Sequence, residues 1–173
     1  MLPYQDQRLT PRQRALDLLS RMTLREKVGQ LTQRLYGFHA YQRRGQEIVL
    51  QEEFQQEVKR YSGLGTLYGL YRADPWSGKD FATGLDGVLA PKARNQVQRY
   101  VLEHSRLGIP VMMSSECPHG HQALDGYLLP VNLLAGATFD PAMVRAAYRV
   151  SGRQLQNMGI RVVMLTGDNE HTA

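Results

Sequence analysis

Five apolar residues, Ile109 to Met113, follow Gly108 and give way at once to Ser114, Ser115 and Glu116. A short apolar run bounded in this way reads as a buried strand where it reaches a polar loop. Glu116 therefore stands at the carboxyl end of a strand. In an α/β protein that is the edge where loops gather around a ligand, although spacing alone does not name the ligand.

The rest of the chain supplies the helices such a strand needs. Thr10-Pro11-Arg12-Gln13 combines a capping hydroxyl, a proline suited to the first helical position and a glutamine able to complete a capping box, so a helix is expected to about Met22. Thr23-Leu24-Arg25-Glu26 repeats the device and opens a second helix toward Gln33, with Leu24, Val28 and Leu31 on one face. The segment from Arg34 to Gln46 has no period and reads as a loop. A helical pattern runs from Ile48 to about Tyr61, with Gly63 as its stop. Gly65 to Gly69 is a strand candidate. The polar loop YRADPWSGKDFATGLDG that follows is too long to be an idle connection in a compact domain.

Pro91 opens a further helix ending near Leu107, ahead of the strand at Ile109 to Ser114. A Gly- and Pro-punctuated loop covers Pro118 to Phe139. Asp140-Pro141 starts a helix carrying Met143, Val144, Ala147 and Val150, expected to end at Met158-Gly159, and Ile160 to Leu165 reads as a final strand. Alternating helices and parallel-type apolar strands predict an α/β fold. No internal repeat, low-complexity segment or linker stands out.

A chain of 173 residues fits one domain able to bury its own core. Its net charge of +5 arises from 21 basic and 16 acidic side chains, and the basic ones are spread along helices as solvated faces. No helix-turn-helix signal, zinc-ligand spacing or aromatic RNP-like strand accompanies them, so no nucleic-acid partner is expected. Cys117 is the single cysteine, which excludes an internal disulfide and a cysteine-based zinc site. Its neighbour but one, His119, is too close in sequence to supply Cys-His nucleophile geometry. Neither a metal nor another cofactor is expected. The amino terminus lacks the order of a signal peptide and no apolar run approaches the ~18 residues of a membrane span. A cytoplasmic protein with no membrane partner is expected.

Three blocks in order carry a resemblance: ALDLLSRMTLREKVGQLTQ, GLGTLYGLYRADPWS and SRLGIPVMMSSECPHGHQALDGYLLPVNLLAGATFDPAMV. Together they resemble glycoside hydrolase family 3, whose members are β-glucosidase and β-xylosidase type enzymes. The resemblance covers residues 12 to about 160 and implies a β-linked oligosaccharide or glycoside as partner. It also implies that residues 1–160 are the amino-terminal part of a (β/α)8 TIM barrel, roughly its first half, with amino-terminal helices. Its early strands would lie near Thr66, Met112 and Val163, with a short one around Leu31.

Family members carry an acid before the His-Gly pair that accepts hydrogen bonds from sugar hydroxyls. The matching residue here is Glu116 in SECPHG, one methylene longer than the usual Asp. A carboxylate suits the task because it only accepts, and charge-assisted bonds to hydroxyls outweigh neutral ones. Without the motif, Glu116 reads first as a helix cap or an arginine partner. The same resemblance makes His119 an organiser of the turn behind Glu116; neither it nor His121 is read as catalytic. Trp76, the only tryptophan, suits stacking on a sugar face or packing of its own loop.

Retaining glycosidases use two carboxyl groups about 5 Å apart. By the resemblance the nucleophilic Asp lies on a later barrel strand and the acid/base in or near a second domain, so no catalytic residue is assigned within this chain. A full barrel takes roughly 250 residues, and the expected half-barrel would expose strand edges that favour self-association. Residues 159–173 depart from the family and resemble the TGDN hinge motif of P-type cation-transporting ATPases. The tail at 161–173 is thus expected to be divergent, as in a truncated or fused reading frame. Within it Asp168 reads as a turn or cap residue more readily than as a Mg2+ ligand.

Overall fold

A computed structural model of the chain describes residues 1–157, the side chains of 148 and 151–157 excepted. The elements in order are α1 (Pro11–Arg21), α2 (Leu24–Leu31), β1 (Tyr41–Arg44), β2 (Glu47–Leu50), α3 (Glu52–Tyr61), β3 (Thr66–Tyr68), α4 (Leu89–Glu103), β4 (Met112–Ser114), α5 (Asn132–Gly136) and α6 (Pro141–Asn157). The fold is mixed helix and strand with two small sheets, compatible with the α/β class. The strand expected over Ile160 to Leu165 and the turn containing Asp168 lie outside the described residues. So does the helix end expected at Met158-Gly159.

The chain forms two compact units: Met1–Glu116 with Gln122–Gly126, and Cys117–His121 with Tyr127 onward. In the first unit both predicted capping boxes form. The Thr10 hydroxyl accepts from the Gln13 N–H while the Gln13 side chain accepts from the Thr10 N–H, and Thr23 and Glu26 do the same for α2. Each box satisfies helix-end donors that would otherwise lack partners. Glu26 has a second role, because Arg106 donates to its two carboxylate oxygens at 2.9 and 2.6 Å. The Arg106 bonds outweigh the cost of burying Glu26 and hold its carboxyl down to about 2.

Several sequence expectations need correction in this part of the chain, among them the helix expected to end near Leu107, which ends at Glu103. The segment read as a loop from Arg34 to Gln46 contains β1, which pairs antiparallel with β2 from Tyr41↔Leu50 to Arg44↔Glu47. The two-residue turn places Gly45 at φ 61, the geometry a type II′ hairpin asks of its first central residue. The helix expected from Ile48 consequently begins only at Glu52, because Ile48 to Leu50 are taken by the ladder. The helix assigned to Pro91 begins at Leu89, leaving Pro91 in the first turn, where its missing N–H costs nothing. No strand forms around Leu31, which ends α2. A parallel bridge appears further on instead, between Tyr36 and Tyr68.

The strand at Ile109 to Ser114 is shorter than expected. Only Met112–Ser114 joins the parallel ladder with β3, in the register Thr66↔Met112 to Tyr68↔Ser114. Pro110 has no N–H to give, and the Gln98 side-chain amide holds Val111 on both sides, its Nε2 donating to the Val111 carbonyl at 2.6 Å and its Oε1 accepting from the Val111 N–H at 3.1 Å. Val111 is thereby satisfied without a strand partner.

The core lies between the parallel pair, α3 and α4. Ala93, Val97 and Val101 recur every four residues along one stripe of α4 and are fully buried with Phe54, Val58 and Leu67. The long loop predicted after β3 is present and is pinned by the hairpin. Arg43 Nη1 donates to the carbonyls of Phe81 and Gly84 and to Asp86 Oδ1, each at 3.0 Å. At the loop's start, the Ala73 N–H donates to the Gln122 carbonyl at 3.0 Å.

In the second unit Asp140 caps α6 as expected, its Oδ1 accepting from the N–H groups of Ala142 and Met143 at 3.1 and 2.9 Å. The region read as loop from Pro118 to Phe139 also contains the single helical turn α5. No described helix is long and apolar enough to cross a membrane.

Candidate functional site

The site is built at the carboxyl ends of β3 and β4. Tyr68 is the last residue of β3, and Glu116 follows β4 by two residues. Their parallel register puts Tyr68 opposite Ser114, and the Tyr68 hydroxyl donates to Glu116 Oε2 at 2.7 Å. Burial of the phenol, then this bond to a carboxylate, raises Tyr68 above the ordinary tyrosine range. The Glu116 side chain is 67% exposed.

Four residues beyond Tyr68, Arg72 enters from the start of the long loop. Its Nη1 donates to the Tyr68 hydroxyl at 2.8 Å, and its Nε donates to Asp74 Oδ2 at 2.8 Å. Its Nη2 lies 2.7 Å from the same Asp74 oxygen, whereas Nη1 stands 3.5 Å from Glu116 Oε2. The tight ion pair is thus with Asp74. Burial works against the Asp74 carboxylate, but the bonds from Arg72 and Ser77 overcome it and hold its carboxyl below the usual range. Asp74 is fixed in turn: its Oδ1 accepts from the Ser77 N–H at 2.8 Å, and its own N–H donates to the Ser77 hydroxyl at 3.0 Å.

Trp76 completes the group. The Arg72 guanidinium carbon lies 4.4 Å from its ring centroid, within cation–π range. Tyr36 and Phe38 stack on each other with centroids 5.3 Å apart and meet Trp76 edgewise at 4.9 and 5.3 Å. Gly37 between them permits this placement, since a Cβ there would come within 2.5 Å of the Leu70 backbone nitrogen. Phe38 is buried, while Tyr36 and Trp76 keep 41% and 54% of their surface. The result is a partly exposed aromatic patch linked through Arg72 to an exposed carboxylate. That combination sets partly exposed aromatic surface beside a strong hydrogen-bond acceptor.

Glu116 and Trp76, both singled out in the sequence, are therefore joined through Arg72. His119 belongs to the second unit, where its Nδ1 lies 3.0 Å from the Leu129 carbonyl oxygen. In the same unit burial holds His121 below the ordinary histidine range. Sequence reasoning missed Tyr68, Arg72, Asp74 and the Tyr36–Phe38 pair. The signal for Arg72 and Asp74 was Arg72-Ala-Asp74 soon after a strand, inside a loop already too long to be idle; Tyr68 carried none beyond its place at the strand's end.

No protein-family profile matches the chain. It is 29% identical, over 92% of its length, to a protein from Formosa agariphila provisionally named a beta-xylosidase. It is 28% identical, over 91% of its length, to a protein from Dickeya chrysanthemi named a periplasmic beta-glucosidase/beta-xylosidase. The chain spans 19% and 23% of the length of these two relatives. Both names belong to glycoside hydrolases, and the likeness reaches that broad class and no finer.

Proposed function

We propose that this chain supplies part of the sugar-binding site of a retaining glycosidase of family 3 acting on β-glucosides or β-xylosides. Glu116 accepts hydrogen bonds from sugar hydroxyls, Trp76 offers a stacking face, and His119 organises the turn after Glu116. The single observation that carries the reading is the state of Glu116: one oxygen is anchored by Tyr68, the side chain is exposed, and the only tryptophan lies beside it through Arg72.

The succession of Tyr36, β3 and β4 in parallel order supports the opening of a (β/α)8 barrel, whose ligands gather at the carboxyl ends of the strands. Exposed Leu31, Leu133 and Phe139 support self-association of the chain. In the described site Asp74 is committed to Arg72 and Ser77, which leaves Glu116 as the exposed carboxylate there, whereas a retaining glycosidase uses two. On this reading the described site holds a sugar and does not itself cut it.

Calorimetric titration with methyl β-D-xyloside and methyl β-D-glucoside, beside release of aryl alcohol from the aryl glycosides, tests this reading. Saturable heat with no release is expected. No heat with either sugar, or turnover lost in Glu116→Ala, contradicts it.

A further inference from the structure

Arg72 meets Tyr68, Asp74, Trp76 and, more distantly, Glu116. Each of its three guanidinium nitrogens has a protein partner: Nε and Nη2 meet Asp74, Nη1 donates to the Tyr68 hydroxyl, and the guanidinium carbon lies 4.4 Å from the Trp76 ring centroid. Its side chain is only 15% exposed. With Nε, Nη1 and Nη2 each held by protein, the guanidinium is fixed in place and acts on Glu116 through its neighbours.

The hydrogen positions follow from chemistry. Arginine only donates, so at its contact with Nη1 the Tyr68 hydroxyl must accept. Its own proton is then directed to the other partner, Glu116 Oε2, at 2.7 Å. Glu116 Oε1 has no hydrogen-bond partner among the described residues. The carboxylate is thus held by one oxygen and presents the other. Asp74 keeps this arrangement open, because it neutralises Arg72 at 2.7 Å and leaves the guanidinium 3.5 Å from Glu116. A guanidinium lacking that partner would pair with Glu116 directly and close off the acceptor.

We propose that Arg72 is a positioning residue for Glu116, acting through the Tyr68 hydroxyl, and that Asp74 prevents Arg72 from capturing that carboxylate itself. The inference rests on the reading of Glu116 as a sugar acceptor. Lysine cannot replace Arg72, because a single ammonium cannot pair with Asp74, donate to Tyr68 and sit over the Trp76 ring at once.

The test is a double-mutant cycle on the full chain, with methyl β-D-xyloside as probe and the emission of Trp76, the only tryptophan, as signal. Tyr68→Phe and Arg72→Lys are each expected to weaken binding about tenfold, and Tyr68→Phe/Arg72→Lys to bind no more weakly than Tyr68→Phe. Asp74→Asn, which keeps the Oδ1 acceptor for Ser77, is expected to bind about tenfold more weakly as Arg72 turns to Glu116. Losses that multiply in the double variant, or wild-type affinity in Arg72→Lys, overturn the proposal.

If wild-type chain binds no glycoside, the functional reading fails and the positioning is read without sugar. Alkaline absorbance titration, taken as the difference from Tyr68→Phe, should then show the Tyr68 phenol ionising at higher pH in Arg72→Met and at lower pH in Glu116→Gln. An unmoved phenol in both variants overturns the relay. Far-UV circular dichroism and a melting curve for each variant separate these outcomes from unfolding.

Discussion

Tyr68 and Glu116 lie 48 positions apart in the chain, yet the tyrosine hydroxyl donates to the glutamate Oε2 at 2.7 Å. The contact exists because β3 and β4 run parallel and in register, so that whatever follows each strand emerges at the same edge. The site therefore depends on the integrity of a three-residue ladder, and that ladder depends on what fixes its ends.

Gln98 fixes one of them. Removing its amide in Gln98→Ala leaves the buried Val111 N–H and carbonyl without partners, at a cost of about 1–3 kcal/mol. Denaturant unfolding is expected to show a lower midpoint with an unchanged slope. A variant as stable as the parent would show that Val111 finds other partners.

Arg43 fixes the far end of the long loop through three acceptors. Arg43→Ala is expected to speed amide hydrogen exchange over residues 80–86 while leaving α4 protected. Unchanged exchange there would mean that the Asp80–Thr83 turn holds the segment by itself, since Asp80 Oδ1 already accepts from the Ala82 and Thr83 N–H groups.

Glu26 makes stability depend on pH in a defined window. Its carboxyl falls from 4.5 to about 2 in the folded chain, chiefly through Arg106. The unfolded chain therefore takes up the proton first, and the stabilisation is fully present above about 4.5 and lost as pH falls toward about 2. Arg106→Ala is expected to lower the melting temperature at neutral pH, with the gap to wild type narrowing across that window. A gap independent of pH would contradict the assignment to Glu26.

Much of this was legible in the residues, for a physical reason in each case. Local chemistry announced itself: Thr10-Pro11-Arg12-Gln13, Thr23 to Glu26 and Asp140-Pro141 form the helix starts their side chains dictate. Glu116 could be placed at a strand end because Met112–Ser114 runs into it. What stayed hidden was non-local. The β1–β2 hairpin pairs residues whose alternation is masked by Arg43 and Arg44, and its turn is carried by Gly45 alone. The shortened β4 reflects a side chain, Gln98, competing for backbone groups that strand pattern assigns to a neighbour. Tyr68, Arg72 and Asp74 carry no periodic signal, and only folding brings them to Glu116 and Trp76.

The most direct test titrates the wild-type chain and Glu116→Gln with methyl β-D-xyloside while following the emission of Trp76, 4.4 Å from the Arg72 guanidinium. A glutamine keeps the size and one acceptor but loses the charge, so the account expects saturable binding by wild type and at least about tenfold weaker binding by the variant. Equal affinity in the two proteins, or no saturable response in wild type, would contradict it.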